Sequence, residues 1–221
     1  MRLILFDIDG TLLECGPQIR PIFVNSLVEV FGRIVNMDRY DLSGRTDPRI
    51  ALDLLTEAGL AEQEILARLP EVRAKYATRL ERELDRQCMR LLPGVSETLE
   101  SLARRKDVVL GLVTGNWEPG ARTKLSRFDL NRFFDFGAFG CDGVERSDLP
   151  PVALERAELM TGRRFRPEEA LIVGDTIHDV TCAKAHGIPV LAVATGRTTA
   201  ETLREGGADR VVADLTEIAD W

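Results

Sequence analysis

The sequence lacks the features that would indicate a membrane or secreted protein. No apolar run approaches the ~18 residues that a membrane-spanning helix requires. The few cysteines are widely scattered and form no CxxC pair, which argues against a disulfide framework and against a zinc site. The amino terminus leads directly into a strand-like run instead of a signal peptide. We therefore expect a cytoplasmic protein with free thiols at Cys15, Cys88, Cys141 and Cys182.

Basic residues are also fewer than acidic residues. The chain of 221 residues has 29 lysines and arginines against 36 aspartates and glutamates, which gives a formal net charge of −7. An acidic surface disfavours nucleic acid and anionic membranes as partners. No repeat, low-complexity segment or Ser-His-Asp arrangement is present. The length suits either one large domain or a core with a modest insertion.

The amino-terminal strand ends in two acidic residues. Residues 3–6 form a short, unbroken apolar run, which is typical of a strand buried on both faces of a parallel sheet. Asp7 and Asp9 follow, and on an extended backbone their side chains point the same way. The carboxyl ends of strands are where open α/β sheets bind ligands. Turn chemistry and a calcium loop are the alternatives, but a calcium loop would continue with more spaced oxygen ligands.

Two later strand-like runs also end in polar residues. Thr114, Gly115 and Asn116 follow the run 108–113, and such a turn can offer a hydroxyl and bare backbone N–H groups to phosphate oxygens. The alternative is a threonine that merely closes a strand. Asp175 follows the run 170–173, and Asp179 lies four residues beyond it. Carboxylates at this spacing suit magnesium, although Asp179 could also serve only as a charge at a helix amino terminus.

The periodicity of the rest of the chain divides it into two regions. Between residues 15 and 89 it predicts helices only, near 22–32, 48–58 and 61–86, with Asp47 as the N-cap of the second. From residue 92 onward strands and helices alternate, which requires a parallel sheet with right-handed crossovers. We therefore predict an α/β fold with a doubly wound, Rossmann-like parallel sheet as its core. The core comprises residues 1–14 and 90–221, and residues 15–89 form an inserted α-helical cap domain.

Residues 7–12 (DIDGTL), 114–116 (TGN) and 174–179 (GDTIHD) resemble the first, second and fourth motifs of the haloacid dehalogenase (HAD) superfamily of phosphohydrolases. A helical cap between the first and second motifs is similar to phosphoglycolate-phosphatase-like members. The resemblance covers essentially the whole chain. It implies that Asp7 is the nucleophile, which forms an aspartyl-phosphate, and that Asp9 is the general acid and base. It also implies that Thr114, Gly115 and Asn116 bind the phosphoryl group.

The resemblance further implies a magnesium ion as cofactor. The residues that it assigns to this ion are Asp7, Asp9, Asp175 and Asp179. Within this set we expect Asp175 to bind the ion directly and Asp179 to act through water.

The third motif is where the sequence departs from the family. The family usually has a lysine there, often followed by Pro, any residue and Pro before a helix, whereas residues 144–152 read VERSDLPPV. Aligning the prolines places Ser147 at the lysine position, with Arg146 beside it. We predict that Arg146 substitutes, because a guanidinium offers a permanent, forked charge to phosphate. The alternative is a surface arginine ahead of a helix that Asp148 caps. Lys124, on the helix after the second motif, is interpreted as a solvated side chain.

In the predicted cap, residues 42–48 (LSGRTDP) resemble a loop of phosphoglycolate-phosphatase-like members that brings polar side chains onto the substrate. Arg45 is the candidate there for contacting a second anionic group on the leaving half, and a solvated Arg45 is the alternative. His178, Trp117 and His186 are interpreted as loop or core residues.

The favoured function is a magnesium-dependent phosphatase that hydrolyses a small phosphorylated metabolite, phosphoglycolate-like or similar, through an aspartyl-phosphate. A dehalogenase is disfavoured because relatives with that activity lack the second acidic residue that Asp9 supplies. A phosphonate hydrolase of this family would need a cap lysine, and residues 15–60 contain none. A phosphohexose mutase of the same superfamily stays open. So does a regulatory or binding relative that has lost turnover, since the usual lysine is missing.

Overall fold

Short apolar runs form the strands of the protein, whose computed structural model describes residues 1–218. Within that range the strands are β1 (Arg2–Phe6), β2 (Leu13–Glu14), β3 (Arg90–Leu91), β4 (Val108–Val113), β5 (Gly137–Ala138), β6 (Ala170–Gly174), β7 (Val190–Val193) and β8 (Arg210–Val212).

Six of these strands form one parallel sheet, in the order β5-β4-β1-β6-β7-β8. The central strand β1 pairs with β4, where Phe6 lies opposite Leu112, and with β6, where Phe6 lies opposite Val173. Along β1, Ile4 belongs to the apolar cluster on one face and Leu5 to the cluster on the other. This burial on both faces explains the unbroken apolar run, and the prediction of an α/β fold with a parallel sheet is confirmed.

Helices cover both faces of the sheet and fill the segment between β2 and β3. Within the described residues the α-helices, apart from short 3-10 turns, are α1 (Ile19–Phe31), α2 (Asp47–Glu57), α3 (Glu62–Glu83), α4 (Val95–Ala103), α5 (Glu118–Ser126), α6 (Leu149–Thr161), α7 (Ile177–Ala185) and α8 (Ala200–Glu205). None of these helices is long and apolar enough to cross a membrane.

The prediction that Asp47 caps α2 is wrong. The N-cap is Thr46, whose hydroxyl accepts a hydrogen bond from the backbone N–H of Arg49 at 3.2 Å. Asp47 occupies the first helical position, and its carboxylate accepts a hydrogen bond from the backbone N–H of Trp117 at 2.7 Å. Threonine and aspartate are both common at the N-cap. The carboxylate of Asp47 does not cap the helix because it binds the backbone N–H of Trp117 instead.

The segment that contains α1, α2 and α3 leaves and rejoins the rest of the chain at one place. Strands β2 and β3 pair in antiparallel fashion there, with Leu13 opposite Leu91 and Glu14 opposite Arg90. Helices α1 and α2 pack on α3, which in turn packs on α5. The division into a cap of residues 15–89 and a core stays a prediction, and we use "cap segment" for these residues.

An aromatic cluster joins the cap segment to the loop after β4. The ring centroid of Phe23 lies 5.0 Å from that of Tyr76 and 5.8 Å from that of Trp117, and the Tyr76 and Trp117 centroids are 6.0 Å apart. All three side chains are buried. Aromatic pairs at such distances add stabilisation beyond the apolar area that they bury.

We expect Phe23→Ala to lower the free energy of unfolding by about 3–5 kcal/mol, because it leaves a cavity between two buried rings. Urea unfolding measures this change. The control is Ile34→Ala, at a position 91% exposed, where the change should stay within about 0.5 kcal/mol. A loss below about 1 kcal/mol for Phe23→Ala would contradict the stabilising role of the cluster.

Candidate active site

The order of the sheet brings the predicted site residues together. Strands β1, β4 and β6 are neighbours at its centre, and all three run in the same direction. Asp7 follows β1, Thr114 follows β4, and Asp175 follows β6. All three residues lie at the carboxyl edge of the sheet and are buried. The site is therefore built from the ends of three adjacent strands, as is usual for ligand sites in open α/β sheets.

Three buried carboxylates converge at this edge. Asp7, Asp175 and Asp179 each place one oxygen so that the three oxygens lie within 4.8 Å of one another. Burial raises the pKa of Asp7 to about 6; the Arg146 guanidinium opposes this rise, whereas Asp179 and Asp9 add to it. Burial also raises the pKa of Asp175 well above its usual range, reinforced by the charges of Asp179 and Asp7. A cluster of oxygen ligands whose negative charges are so poorly solvated fits a hard divalent cation.

Arg146 lies inside this cluster and not on the surface. Its Nη2 forms an ion pair with Oδ1 of Asp7 at 3.1 Å and donates a hydrogen bond to Oδ1 of Asp179. Its Nη1 donates to the backbone carbonyl oxygen of Gly44 at 3.2 Å. Burial opposes the charged guanidinium, but Asp179 and Asp7 together hold the pKa of Arg146 well above its usual value. A single cation thus binds two site carboxylates and a loop of the cap segment.

Asp179 has a structural partner as well as a charged one. Thr176 is the N-cap of α7, and its hydroxyl accepts from the backbone N–H of Asp179 at 3.3 Å. In return, Oδ2 of Asp179 accepts from the backbone N–H of Thr176 at 3.0 Å. One carboxylate oxygen therefore completes a capping box while the other pairs with Arg146.

The turn after β4 forms the opposite wall of the site. The side-chain nitrogen Nδ2 of Asn116 donates to the hydroxyl of Thr114 and to Oδ2 of Asp9, both at 2.8 Å. A Cβ atom on Gly115 would collide with the backbone carbonyl of Arg45, so only glycine allows the cap segment to approach so closely. The carbonyl oxygen of Gly115 also accepts from the backbone N–H of Asp47 at 2.8 Å.

The interpretation of Lys124 as a solvated side chain is wrong. Lys124 is 3% exposed, and its Nζ donates to Oδ2 of Asp9 and to Oδ1 of Asn116, both at 2.6 Å. Burial opposes its charge, yet Asp9 helps to hold the pKa of Lys124 well above its usual value. The sequence does carry a signal for this burial. Lys124 lies three residues after Ala121 and four after Gly120, both buried, so helical spacing places it on the buried face of α5.

Of the predicted metal ligands, Asp9 lies outside the cluster of three buried carboxylates, as does the cap residue Arg45. The guanidinium of Arg45 pairs with Asp53 at 3.2 Å and lies over the ring of Tyr40, 5.4 Å from the ring centroid. Arg45 nevertheless lines the cavity beside the cluster. A role in contacting substrate stays a prediction.

A cavity of about 580 Å³ extends from the carboxylates toward the cap segment. The polar end of the cavity, at the edge of the sheet, is lined by Asp7, Asp9, Thr114, Lys124 and Arg146. The other walls of the cavity include residues of the cap segment, namely Ile19, Arg20, Phe23, Leu42, Ile50 and Tyr76. This volume suits a small molecule held between α1 and the sheet edge.

Comparison with known proteins assigns this arrangement to a family. Residues 4–193 match the family model of haloacid dehalogenase-like hydrolases. Phosphoglycolate phosphatase 1 of Pseudomonas aeruginosa is 30% identical over 223 residues, which cover 98% of this chain and 78% of that protein. The phosphorylated carbohydrates phosphatase of Thermotoga maritima is 27% identical over 220 residues, covering 96% and 94% respectively. The crystal structure of a predicted phosphatase from Clostridium acetobutylicum shares the fold, with a TM-score of 0.73 at 20% identity and coverage of 98% and 95%.

We expect Arg146→Met to lower the free energy of unfolding by about 3–5 kcal/mol in the presence of a metal chelator, because Asp7 and Asp179 lose their buried partner. Urea unfolding measures the change. The control is Arg68→Met, which removes an exposed pair with Glu71 and should cost under about 1 kcal/mol. Equal effects of the two substitutions would show that Arg146 does not balance the buried carboxylates.

Proposed function

The chain belongs to the haloacid dehalogenase-like hydrolase family, and we propose that it is a magnesium-dependent phosphatase of a small phosphorylated metabolite. The family resemblance inferred from its motifs is thereby confirmed. The observation that most supports the phosphatase proposal is the convergence of Asp7, Asp175 and Asp179 around Arg146. A permanent cation among buried carboxylates suits a site that must accept a further anionic group, the phosphoryl group.

In the proposed reaction Asp7 is the nucleophile. Its carboxylate attacks phosphorus, the bond from phosphorus to the leaving oxygen breaks, and Asp9 gives its proton to that oxygen. Asp9 then takes a proton from a water molecule, whose oxygen attacks the aspartyl-phosphate and releases inorganic phosphate. Arg146 orients Asp7 through the contact at 3.1 Å before the attack. Both carboxylates return to their starting protonation states, so the cycle is balanced.

The equatorial oxygens of the phosphoryl group need positive charge and N–H or O–H donors. Thr114 and the turn at Gly115 and Asn116 provide these donors at one wall, and Arg146 provides charge at the other. Phosphoryl transfer depends mostly on such positioning and electrostatic stabilisation. The cap segment lies over the site and is held there by a hydrogen bond from the backbone N–H of Asp47 to the carbonyl oxygen of Gly115. In this position it would exclude bulk water during the reaction.

Magnesium fits the carboxylate cluster, since burial and mutual repulsion hold the pKa of Asp7 and of Asp175 above their usual values. Asp7 and Asp175 would hold the ion directly, with Asp9 beside them and Asp179 acting through water. When bound, the ion would neutralise phosphoryl oxygens as charge develops on them.

For the substrate we propose a small phosphomonoester such as phosphoglycolate. This proposal is supported by the phosphoglycolate phosphatase at 30% identity and by the position of Arg45 on the cavity wall. The relative named for phosphorylated carbohydrates widens the class to sugar phosphates. Phosphate release from a panel of both kinds of compound, with magnesium, tests the proposal. No release from any member would contradict it, and transfer of phosphate between sugar hydroxyls would indicate a mutase instead.

We expect Asp7→Asn to reduce phosphate release to below about a hundredth of the wild-type rate, because the nucleophilic oxygen is lost. The melting temperature should stay near that of the wild type, as the amide keeps the shape of the side chain. Asp38→Asn, in an exposed turn, is the control and should leave the rate unchanged. Activity of Asp7→Asn above this limit would exclude Asp7 as nucleophile.

Chelation with EDTA should abolish activity, and added magnesium should restore it. Asp175→Ala should weaken magnesium binding more than Asp179→Ala, for which a loss of about 10–100-fold is expected if it acts only through water. Calorimetric titration of each folded variant measures the two affinities. Equal losses would show that the division into a direct and a water-mediated ligand is wrong.

A further inference from the structure

The buried ammonium group of Lys124 requires an explanation that its helix does not provide. Removing an ammonium from water is costly unless charged and polar partners compensate. At 3% exposure, Lys124 has one carboxylate partner, Asp9, and one amide partner, Asn116. A leucine or methionine would fill the same place on the buried face of α5 without that cost. The role of this charge is therefore to be sought in its contact with Asp9.

Two donors converge on the same oxygen of Asp9. Lys124 Nζ lies 2.6 Å from Oδ2, and Asn116 Nδ2 lies 2.8 Å from the same atom. The two side chains are also hydrogen-bonded to each other, since Nζ of Lys124 donates to the amide oxygen Oδ1 of Asn116 at 2.6 Å. The amide of Asn116 is further fixed by the hydroxyl of Thr114. This closed arrangement determines which way the carboxylate of Asp9 turns.

Besides Lys124 and Asn116, the side chain that bonds to Asp9 is the weakly donating thiol of Cys15. The side chain of Asp9 is 41% exposed, in contrast to 5% for Asp7. Asp9 precedes Gly10, whose φ of 86° puts the backbone in a left-handed turn. A half-exposed carboxylate beside such a turn would sample more than one staggered rotamer. Lys124 and Asn116, which lie outside the loop of Asp9 and Gly10, therefore orient the carboxylate of Asp9.

We propose that Lys124 is a positioning residue, which together with Asn116 fixes Oδ2 of Asp9 and leaves Oδ1 as the oxygen that exchanges a proton with the leaving group and with water. An oxygen that accepts two N–H groups cannot readily carry the proton itself. The inference rests on the proposed function, in which Asp9 is the acid and base. It assigns one cation to each catalytic carboxylate: Arg146 to Asp7 and Lys124 to Asp9.

The substitution Lys124→Met tests this role, because methionine keeps the length of the side chain without its charge. Its matched control is Lys75→Met, since Lys75 is 52% exposed and pairs with Glu29 on the surface. For each protein kcat/KM is measured with p-nitrophenyl phosphate and with an alkyl phosphomonoester. The nitrophenolate ion leaves without a proton, whereas an alkoxide needs one from Asp9. The comparison therefore isolates proton transfer from binding and from folding.

We expect Lys124→Met to lower kcat/KM for the alkyl substrate by about a hundredfold, within the range for loss of general acid catalysis. The loss for p-nitrophenyl phosphate should be several times smaller, and Lys75→Met should change neither. Equal losses for both substrates would overturn the proposal, because they would indicate a phosphate contact or a structural role. No loss for either substrate would also overturn it.

Crystal structures of the wild type and of Lys124→Met provide a test that needs no turnover. The proposal requires the Asp9 side chain to occupy one conformer in the wild type and to rotate, or to divide between conformers, in the variant. An unchanged Asp9 in Lys124→Met would overturn the proposal even in an active enzyme. If the wild type released no phosphate from any substrate, the proposed function would fail, while the structures would still decide whether Lys124 orients Asp9.

Discussion

Repulsion between carboxylates at one edge of the sheet is the constraint on which the rest of the site depends. The apolar strand β1 carries Asp7 into a buried position, and the neighbouring strand β6 does the same for Asp175. Proximity and poor solvation make every further negative charge there unfavourable. The buried guanidinium of Arg146 compensates part of this charge, and Lys124 does so beside Asp9. The usual lysine of the family's third motif is absent, yet the site has two cations close to its carboxylates.

The residues that balance the charge also hold the cap segment in place. Arg146 binds Asp7 and the carbonyl oxygen of Gly44 at the same time. Gly115 lies in the turn that we propose binds phosphate, and the backbone of the cap segment at Arg45 passes directly against it. The position of the cap segment and the electrostatics of the site are thus determined by shared atoms. A displacement of one changes the other directly.

Local patterns in the sequence predicted the elements and the acidic residues well, and long-range contacts account for the errors. The run 108–113 is strand β4 to the residue, because unbroken apolar composition is a local property that directly reflects burial. Asp175 could be assigned to the site because parallel strands align their ends. For Lys124 helical spacing could have indicated burial, but not the partner, because Asp9 is 115 residues away in the chain. Asp47 shows the same limit, as its partner belongs to another loop.

The short pairing of β2 with β3 has a consequence for how such a protein can diversify. Because Leu13 lies opposite Leu91, the chain departs from the sheet and returns to it at adjacent points. The ends of the excursion are thus fixed independently of its length, and the entropy of closing a loop grows only slowly with the number of residues in it. Away from residues 44–47, which contact Arg146 and Gly115, the excursion can be lengthened or shortened without displacing the strand that leads to Asp7, the proposed nucleophile. The size of the excursion and the geometry of the sheet edge can thus vary independently wherever the contacts of Gly44 and Asp47 are kept.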